Sequence, residues 1–247
     1  MNKTLGAGAL VLALTLSACG DDAATNNAAG NGAAASAGPA IPAPNNGDWT
    51  QVVSQTPEGG FRMGNPDAPV KLVEYASMTC PHCAAFSGEA SERLKNEYVR
   101  SGRVSFEFRN FVLNGPDAAA STLARCMPPS GFFRVVEELF ATQRDWLGAI
   151  DEAEGARIQS TPQQQQIAAF AQAADLPAFF RQRGLPDAQI SACLADPQAG
   201  QRLLDMSQKA ADEHNVTGTP TFLINGETAE GNTWQQIEPL IQSALGS

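Results

Sequence analysis

Val70-Lys71-Leu72-Val73-Glu74-Tyr75-Ala76-Ser77-Met78-Thr79-Cys80-Pro81-His82-Cys83 is the stretch from which the rest of this chain is read. Val70 to Tyr75 is nearly continuous apolar sequence, which suits a strand covered on both faces. A helix is predicted to open at Thr79 or Cys80. Pro81 is tolerated in its first turn, where backbone N–H groups have no intrahelical partner. Cys83, Phe86, Ala90 and Leu94 then follow at helical spacing and give that helix a buried stripe. A Cys-x-x-Cys pair at a strand-to-helix junction implies thiol–disulfide exchange.

Working outward, Gly102 ends the helix, and Val104 to Val112 reads as a strand with Val104, Phe106 and Phe108 alternating. Helical segments fill most of 117–215, including Phe132 to Trp146, Pro162 to Ala174 and Gln198 to His214. The acidic, Gln-rich stretch 151–166 reads as a solvated loop and a helix start. Thr221 to Ile224 is a strand, Asn225-Gly226 a hairpin turn, and Glu227 to Glu230 the return strand. Thr233-x-x-Gln236 is a capping box that opens a last helix carrying Trp234, Ile237, Leu240 and Ile241. Upstream, Trp49 to Thr56 reads as a short edge strand, with turn chemistry at 57–60 and 64–67. The class is α/β: strand, helix, strand, a block of helices, a hairpin and a final helix.

The first residues set the compartment. Lys3 precedes an apolar run from Leu5 to Leu16 that is too short to span a bilayer as a stable helix. The run ends in Leu16-Ser17-Ala18-Cys19, which resembles the lipobox of bacterial lipoproteins, where the Cys is lipidated and becomes residue one. An ordinary signal peptide is the competing reading. The chain has 5 Cys. Lipidating Cys19 leaves an even set, whereas ordinary cleavage leaves an odd thiol in an oxidising space. Either way the mature protein is exported, to the periplasmic side of a bacterial cell envelope, where disulfides persist. The organisation expected is a signal peptide over 1–18, a flexible tether over 19–48 and one folded domain over 49–247. The tether, rich in Ala, Asn and Gly, cannot bury a core. Gly20 directly after Cys19 leaves sorting between the two membranes open. A formal net charge of −10 argues against a nucleic-acid surface.

The chemistry follows from the placement of the pair. Cys80 lies at a helix N-terminus, where unpaired N–H groups and the helix dipole stabilise an anion. Thiolate is the nucleophile, so a lowered pKa favours attack and leaving. Cys83, one turn further in, is the resolving thiol. Pro81-His82 is the tuning element: a His beside the thiolate can donate a hydrogen bond or carry charge. Stabilising the thiolate stabilises the reduced form and makes the disulfide more oxidising. A zinc site needs about four ligands. There is no second Cys-x-x-Cys, and the other His, His214, reads as a helix-end residue near solvent. Glu74 is a carboxylate in an apolar strand, where burial raises its pKa; a neutral acid there could relay protons to and from Cys83. Cys126 and Cys193 flank the helical block. A structural disulfide is the first reading, with a second redox pair or two free thiols as alternatives.

Gly64-Asn65-Pro66-Asp67-Ala68-Pro69-Val70, Glu74-Tyr75, Cys80-Pro81-His82-Cys83 and Thr219-Pro220-Thr221 together resemble the landmarks of the DsbA-like thiol:disulfide oxidoreductases of the bacterial cell envelope. The likeness runs from about Gln51 to the C-terminus. It implies a thioredoxin fold with a helical insertion, about 116–215, between the βαβ and ββα halves. It implies that Thr219-Pro220 holds a cis peptide bond and that this loop lies against the redox pair and offers backbone groups to an extended substrate. It implies Cys80 as nucleophile, Cys83 as resolving thiol and an acid at the Glu74 position. The substrates implied are exported proteins with cysteines, with a membrane redox partner that reoxidises or reduces the pair. No cofactor is expected, since the disulfide carries the two electrons. The competing functions are an isomerase or reductase working from the reduced pair and, more distantly, a tethered metal-binding module, for which Met78 is the nearest extra ligand.

Overall fold

The computed structural model describes residues 39–44 and 47–246. The expected signal peptide, Cys19 and most of the expected tether lie outside the described residues.

Six strands form one sheet: β1 Val53–Gln55, β2 Phe61–Gly64, β3 Val70–Ala76, β4 Val104–Asn110, β5 Thr221–Ile224 and β6 Glu227–Ala229. Their order across the sheet is β1-β2-β4-β3-β5-β6. β3 runs parallel to β4 and antiparallel to β5, so it joins two halves. The first half is β3, helix α1 (Pro81–Arg93) and β4; a π-helical turn, Leu94–Val99, extends α1. The second half is the β5–β6 hairpin and helix α10 (Trp234–Gly246). This is a thioredoxin fold, and its helical insertion lies between the halves. The insertion comprises α2 Gly115–Arg125, α3 Pro129–Ala141, α4 Gln143–Gly148, α5 Glu152–Gln159, α6 Gln163–Ala173, α7 Leu176–Gln182, α8 Asp187–Leu194 and α9 Ala199–His214.

The apolar run of β3 is covered on both faces, as a continuous run requires. Val70, Leu72 and Ala76 join the main core with Cys83, Phe86 and Ala90 of α1 and Ile237 and Ile241 of α10. Val73 and Tyr75 point the other way and pack with Ala210, Val216 and Leu223. The insertion is fastened to the sheet by aromatic contact: Phe132 of α3 stacks on Phe61 of β2 with ring centroids 3.8 Å apart. Phe86 meets Phe222 of β5 at 4.4 Å.

Several expectations are corrected in detail. Trp49 to Thr56 is not one strand. A 3-10 turn covers Trp49–Gln51, because the Asp48 carboxylate accepts the Thr50 N–H at 2.9 Å and the Trp49 ring is buried. The strand begins only at Val53. The strand β2, unanticipated, alternates buried Phe61 and Met63 with a less buried Arg62 and pairs with β1 and β4. Phe132 to Trp146 breaks into α3 and α4 at Thr142. The stretch 151–166 contains a full helix, α5, whose N-terminus is capped by the Asp151 carboxylate on the Glu154 N–H at 2.7 Å.

Ile41 and Ala43, within the stretch read as tether, rest on the folded unit. The Ile41 N–H donates to Ser101 O at 2.7 Å, the Trp49 indole donates to Ile41 O at 2.8 Å, and Ala43 packs on the core. Gly102 makes this possible. Its φ of 74° turns the chain out of the α1 extension, and a Cβ there would lie 2.5 Å from both Ile41 O and the Trp49 indole nitrogen.

Candidate active site

Cys80 is the N-cap of α1, with extended backbone (φ −78°, ψ 120°), and Pro81 opens the helix. The Cys80 side chain makes no cap hydrogen bond of ordinary geometry, but the first free N–H groups of the helix, those of Cys83 and His82, lie near enough to steady charge on its sulfur. Both cysteines are thiols and both are buried, Cys80 with 5% of its surface exposed and Cys83 with none. The loop before β5 closes over them. The Thr219–Pro220 bond is cis and Pro220 is buried. Thr219 O accepts a hydrogen bond from the Cys80 thiol at 3.2 Å. The Thr219 hydroxyl is also buried and faces the same sulfur.

The two thiols are driven apart in acidity. Cys80 is pulled down to about 5, first by the hydrogen bond from the Cys83 thiol. The Thr219 side chain and the N–H groups of Cys83 and His82 act in the same direction, against the opposing effect of burial. Cys83 is pushed strongly up, chiefly by burial, with further contributions from its bond to Cys80 and the charge of Glu74. His82 and Pro81 are exposed, and the part of His82 that reaches the sulfur is its main-chain N–H.

Glu74 sits mid-strand in β3, paired with Phe108 on one side and Phe222 on the other. It is 3% exposed, and its Oε1 has no hydrogen-bond partner. Burial, helped by the charge of Cys80, pushes its carboxyl up to about 8. It borders a cavity of about 20 Å³ with Phe86, Phe106 and Phe133, room for one water.

The consequence for stability has a definite sign. The unfolded carboxyl titrates near 4.5 and the folded one near 8. Between those values the folded state holds a proton that the unfolded chain has released. The stabilisation from neutral Glu74 is therefore complete below pH 4.5 and lost as pH rises through 8. In Glu74→Gln that dependence disappears. Urea unfolding of the reduced proteins should show the variant gaining roughly 2–4 kcal/mol on the wild type from pH 4.5 to pH 8. Parallel pH profiles for the two proteins would contradict the burial of an acid at this position.

Two polar side chains at the site were not singled out by the sequence reading. Asp117 of α2 is fully buried and accepts the Met78 N–H at 2.9 Å. Gln143 of α4 donates to Met78 O at 2.9 Å and to Cys80 O at 3.0 Å. The only sequence signal was Asn114-x-x-Asp117, a helix-cap pattern: Asn114 Oδ1 accepts the Asp117 N–H at 3.0 Å. Met78 itself is fully buried in the core. His214 ends α9, half-buried, with its ring 6.0 Å from that of Tyr75. Among the described residues no group of three or more His, Cys, Asp or Glu side chains is arranged to hold a metal ion, and no helix is long and apolar enough to cross a membrane. Cys126, at the end of α2, and Cys193, in α8, are joined with an S–S distance of 1.97 Å and Cα atoms 6.5 Å apart.

A sheet with an inserted helical block, a helix-capping Cys-Pro-His-Cys and a cis-proline loop over the sulfur define a thioredoxin-fold dithiol site. The model of the family described as thioredoxin matches residues 56–243. The crystal structure of a protein-disulfide isomerase from Novosphingobium aromaticivorans is 31% identical, with a TM-score of 0.71 over 75% of this chain and 97% of that one. The crystal structure of alpha-DsbA1 from Wolbachia pipientis, 20% identical, shares the fold at a TM-score of 0.61 over 83% of this chain and 94% of that one. A Rickettsia bellii protein provisionally named protein-disulfide oxidoreductase is 24% identical over 195 residues, 79% of this chain and 68% of that one. The chain belongs to the thioredoxin family, as a DsbA-like thiol:disulfide oxidoreductase.

Proposed function

We propose that this protein forms disulfides in exported proteins, passing on the disulfide of Cys80 and Cys83 from a lipid anchor at Cys19 on the periplasmic side of a bacterial envelope. The observation that carries the reading is the acidity gap within the pair. A Cys80 thiolate stabilised to about 5 makes the reduced form the favoured one, and a stabilised reduced form is what makes a disulfide a strong oxidant.

In this reading a substrate thiolate attacks Cys80 Sγ of the oxidised pair. The Cys80–Cys83 bond breaks, and the Cys83 sulfur leaves with the electron pair. Being buried and weakly acidic, it takes a proton, and neutral Glu74, on the strand beneath, is the acid that supplies it. A second substrate thiolate then attacks the substrate sulfur of the mixed disulfide and expels Cys80 as its stable thiolate. Two substrate thiols have become a disulfide, and two electrons have passed to the pair. A membrane redox partner removes them. Thr219 and cis-Pro220 line the approach to Cys80 and offer main-chain groups to an extended substrate. His82 and Pro81 tune the thiolate, and Cys126–Cys193 braces the insertion.

The second reading is an isomerase kept reduced. It is favoured by the name of the Novosphingobium structure at 31% identity. Acid quenching of cells, followed by alkylation of free thiols, separates the two. The proposal expects Cys80 and Cys83 oxidised at steady state and reduced substrate accumulating when the gene is deleted. A pair found reduced in growing cells would overturn it.

A further inference from the structure

The insertion does more than shield the redox pair. Asp117 and Gln143 are the two of its polar side chains that reach the main chain in front of the nucleophile, and both are almost wholly enclosed, with 0% and 6% of their surface exposed. Burying a carboxylate or a carboxamide is costly unless its hydrogen bonds are made. Here those bonds converge on one short segment. Asp117 Oδ1 takes the Met78 N–H at 2.9 Å, while Gln143 Nε2 engages Met78 O at 2.9 Å and Cys80 O at 3.0 Å. The peptide units on both sides of Met78, and the one that follows Cys80, are thus gripped from α2 and α4. Asp117 is braced in turn by the Leu113 N–H at 3.0 Å and the Ser121 hydroxyl at 3.1 Å. Cys80 O also accepts the Ala84 N–H at 3.2 Å, so the Gln143 bond is added to the first turn of α1 rather than replacing it.

We infer that Asp117 and Gln143 are positioning residues for the redox reaction, fixing the Met78–Cys80 backbone so that the His82 and Cys83 N–H groups stay aimed at the Cys80 sulfur. Hydrogen bonds to a thiolate depend steeply on direction, and a segment free to rotate about Thr79 would lose that aim without unfolding. The inference rests on Cys80 being a stabilised thiolate; it is indifferent to whether the pair works as an oxidant or an isomerase.

Gln143→Met keeps the length of the side chain and removes both donated bonds. Asp117→Asn keeps the shape and removes the charge. The readouts are thiolate absorbance of the reduced, folded full chain against pH, and the equilibrium with glutathione. In Gln143→Met the Cys80 titration should move up by at least about half a pH unit, and the equilibrium should shift at least ~3-fold toward the oxidised pair. Ile158→Ala, which empties a core position in α5 far along the chain from the pair, should lower stability and leave the titration where it is. A merely structural role for Gln143 would behave as Ile158→Ala does, and that result overturns the inference. If Asp117→Asn fails to fold, Gln143→Met decides alone. A wild-type Cys80 that titrates near 8.5 would overturn the thiolate reading itself, and this inference with it. A wild type that titrates low beside an unshifted Gln143→Met overturns only the inference.

Discussion

Cys83→Ala is expected to stop the cycle at a covalent complex. The Cys80 thiolate keeps its place at the helix N-terminus and still attacks an accessible disulfide in a partner. One sulfur of that disulfide leaves as a thiolate, and Cys80 becomes joined to the other. In the wild type Cys83 resolves this mixed disulfide from one turn away. In the variant only external thiol can do so. Well-placed intramolecular groups act at effective concentrations far above any millimolar reagent, so resolution should slow by at least ~1,000-fold. Intact-mass analysis after exposure to oxidised glutathione or a disulfide-bonded protein should show a one-to-one adduct at Cys80. Because the Cys83 thiol is the foremost support of the thiolate, the variant's Cys80 should also titrate higher, by roughly 1–2 units for the loss of one hydrogen bond to a charged group. Rapid turnover without an adduct would mean that Cys83 is not the resolving thiol.

The second large effect is on stability. Cys126 and Cys193 are 67 residues apart in sequence, and their bond encloses α3 to α7. Chain-entropy arithmetic for a loop of that size gives about 4 kcal/mol. For a domain of this length that corresponds to a fall of ~10 °C in Tm. Thermal unfolding of the Cys126→Ala/Cys193→Ala double variant measures it, and the Cys80 titration in the same protein should be unchanged. A Tm within 2 °C of wild type, together with a wild-type Cys126–Cys193 bond that opens to free thiols under mild reductant, would instead make the bond a labile second redox pair.

The parts of this fold legible in the sequence are those with a strong local signal. The apolar run at Val70, the Cys-x-x-Cys with its proline, the Asn225-Gly226 turn and the helical stripe of α1 each announce themselves within a few residues, and they lie where the two thioredoxin halves meet. β2 escaped because four residues with one Arg between two Gly-rich turns carry too little periodicity; its partners β1 and β4 define it. Trp49 falls in a stretch that reads as a short edge strand, yet a local Asp48 cap and a buried indole hold it in a turn. At the site, Cys80, Cys83 and Pro220 come from motifs, whereas Asp117 and Gln143 do not. Their bonds to Met78 span 39 and 65 residues, and nothing local marks a buried Asp or Gln as facing a backbone segment that far away. Glu74 lies between the two cases: its apolar neighbours signalled burial, but only the fold sets it beneath α1.

The most direct test is the reduction potential of the Cys80–Cys83 pair against glutathione, with Cys126 and Cys193 followed separately. A disulfide donor with a stabilised thiolate should fall near −120 mV, among strongly oxidising members of the class. A value near −270 mV, that of a thioredoxin, would contradict it and identify a pair built to reduce.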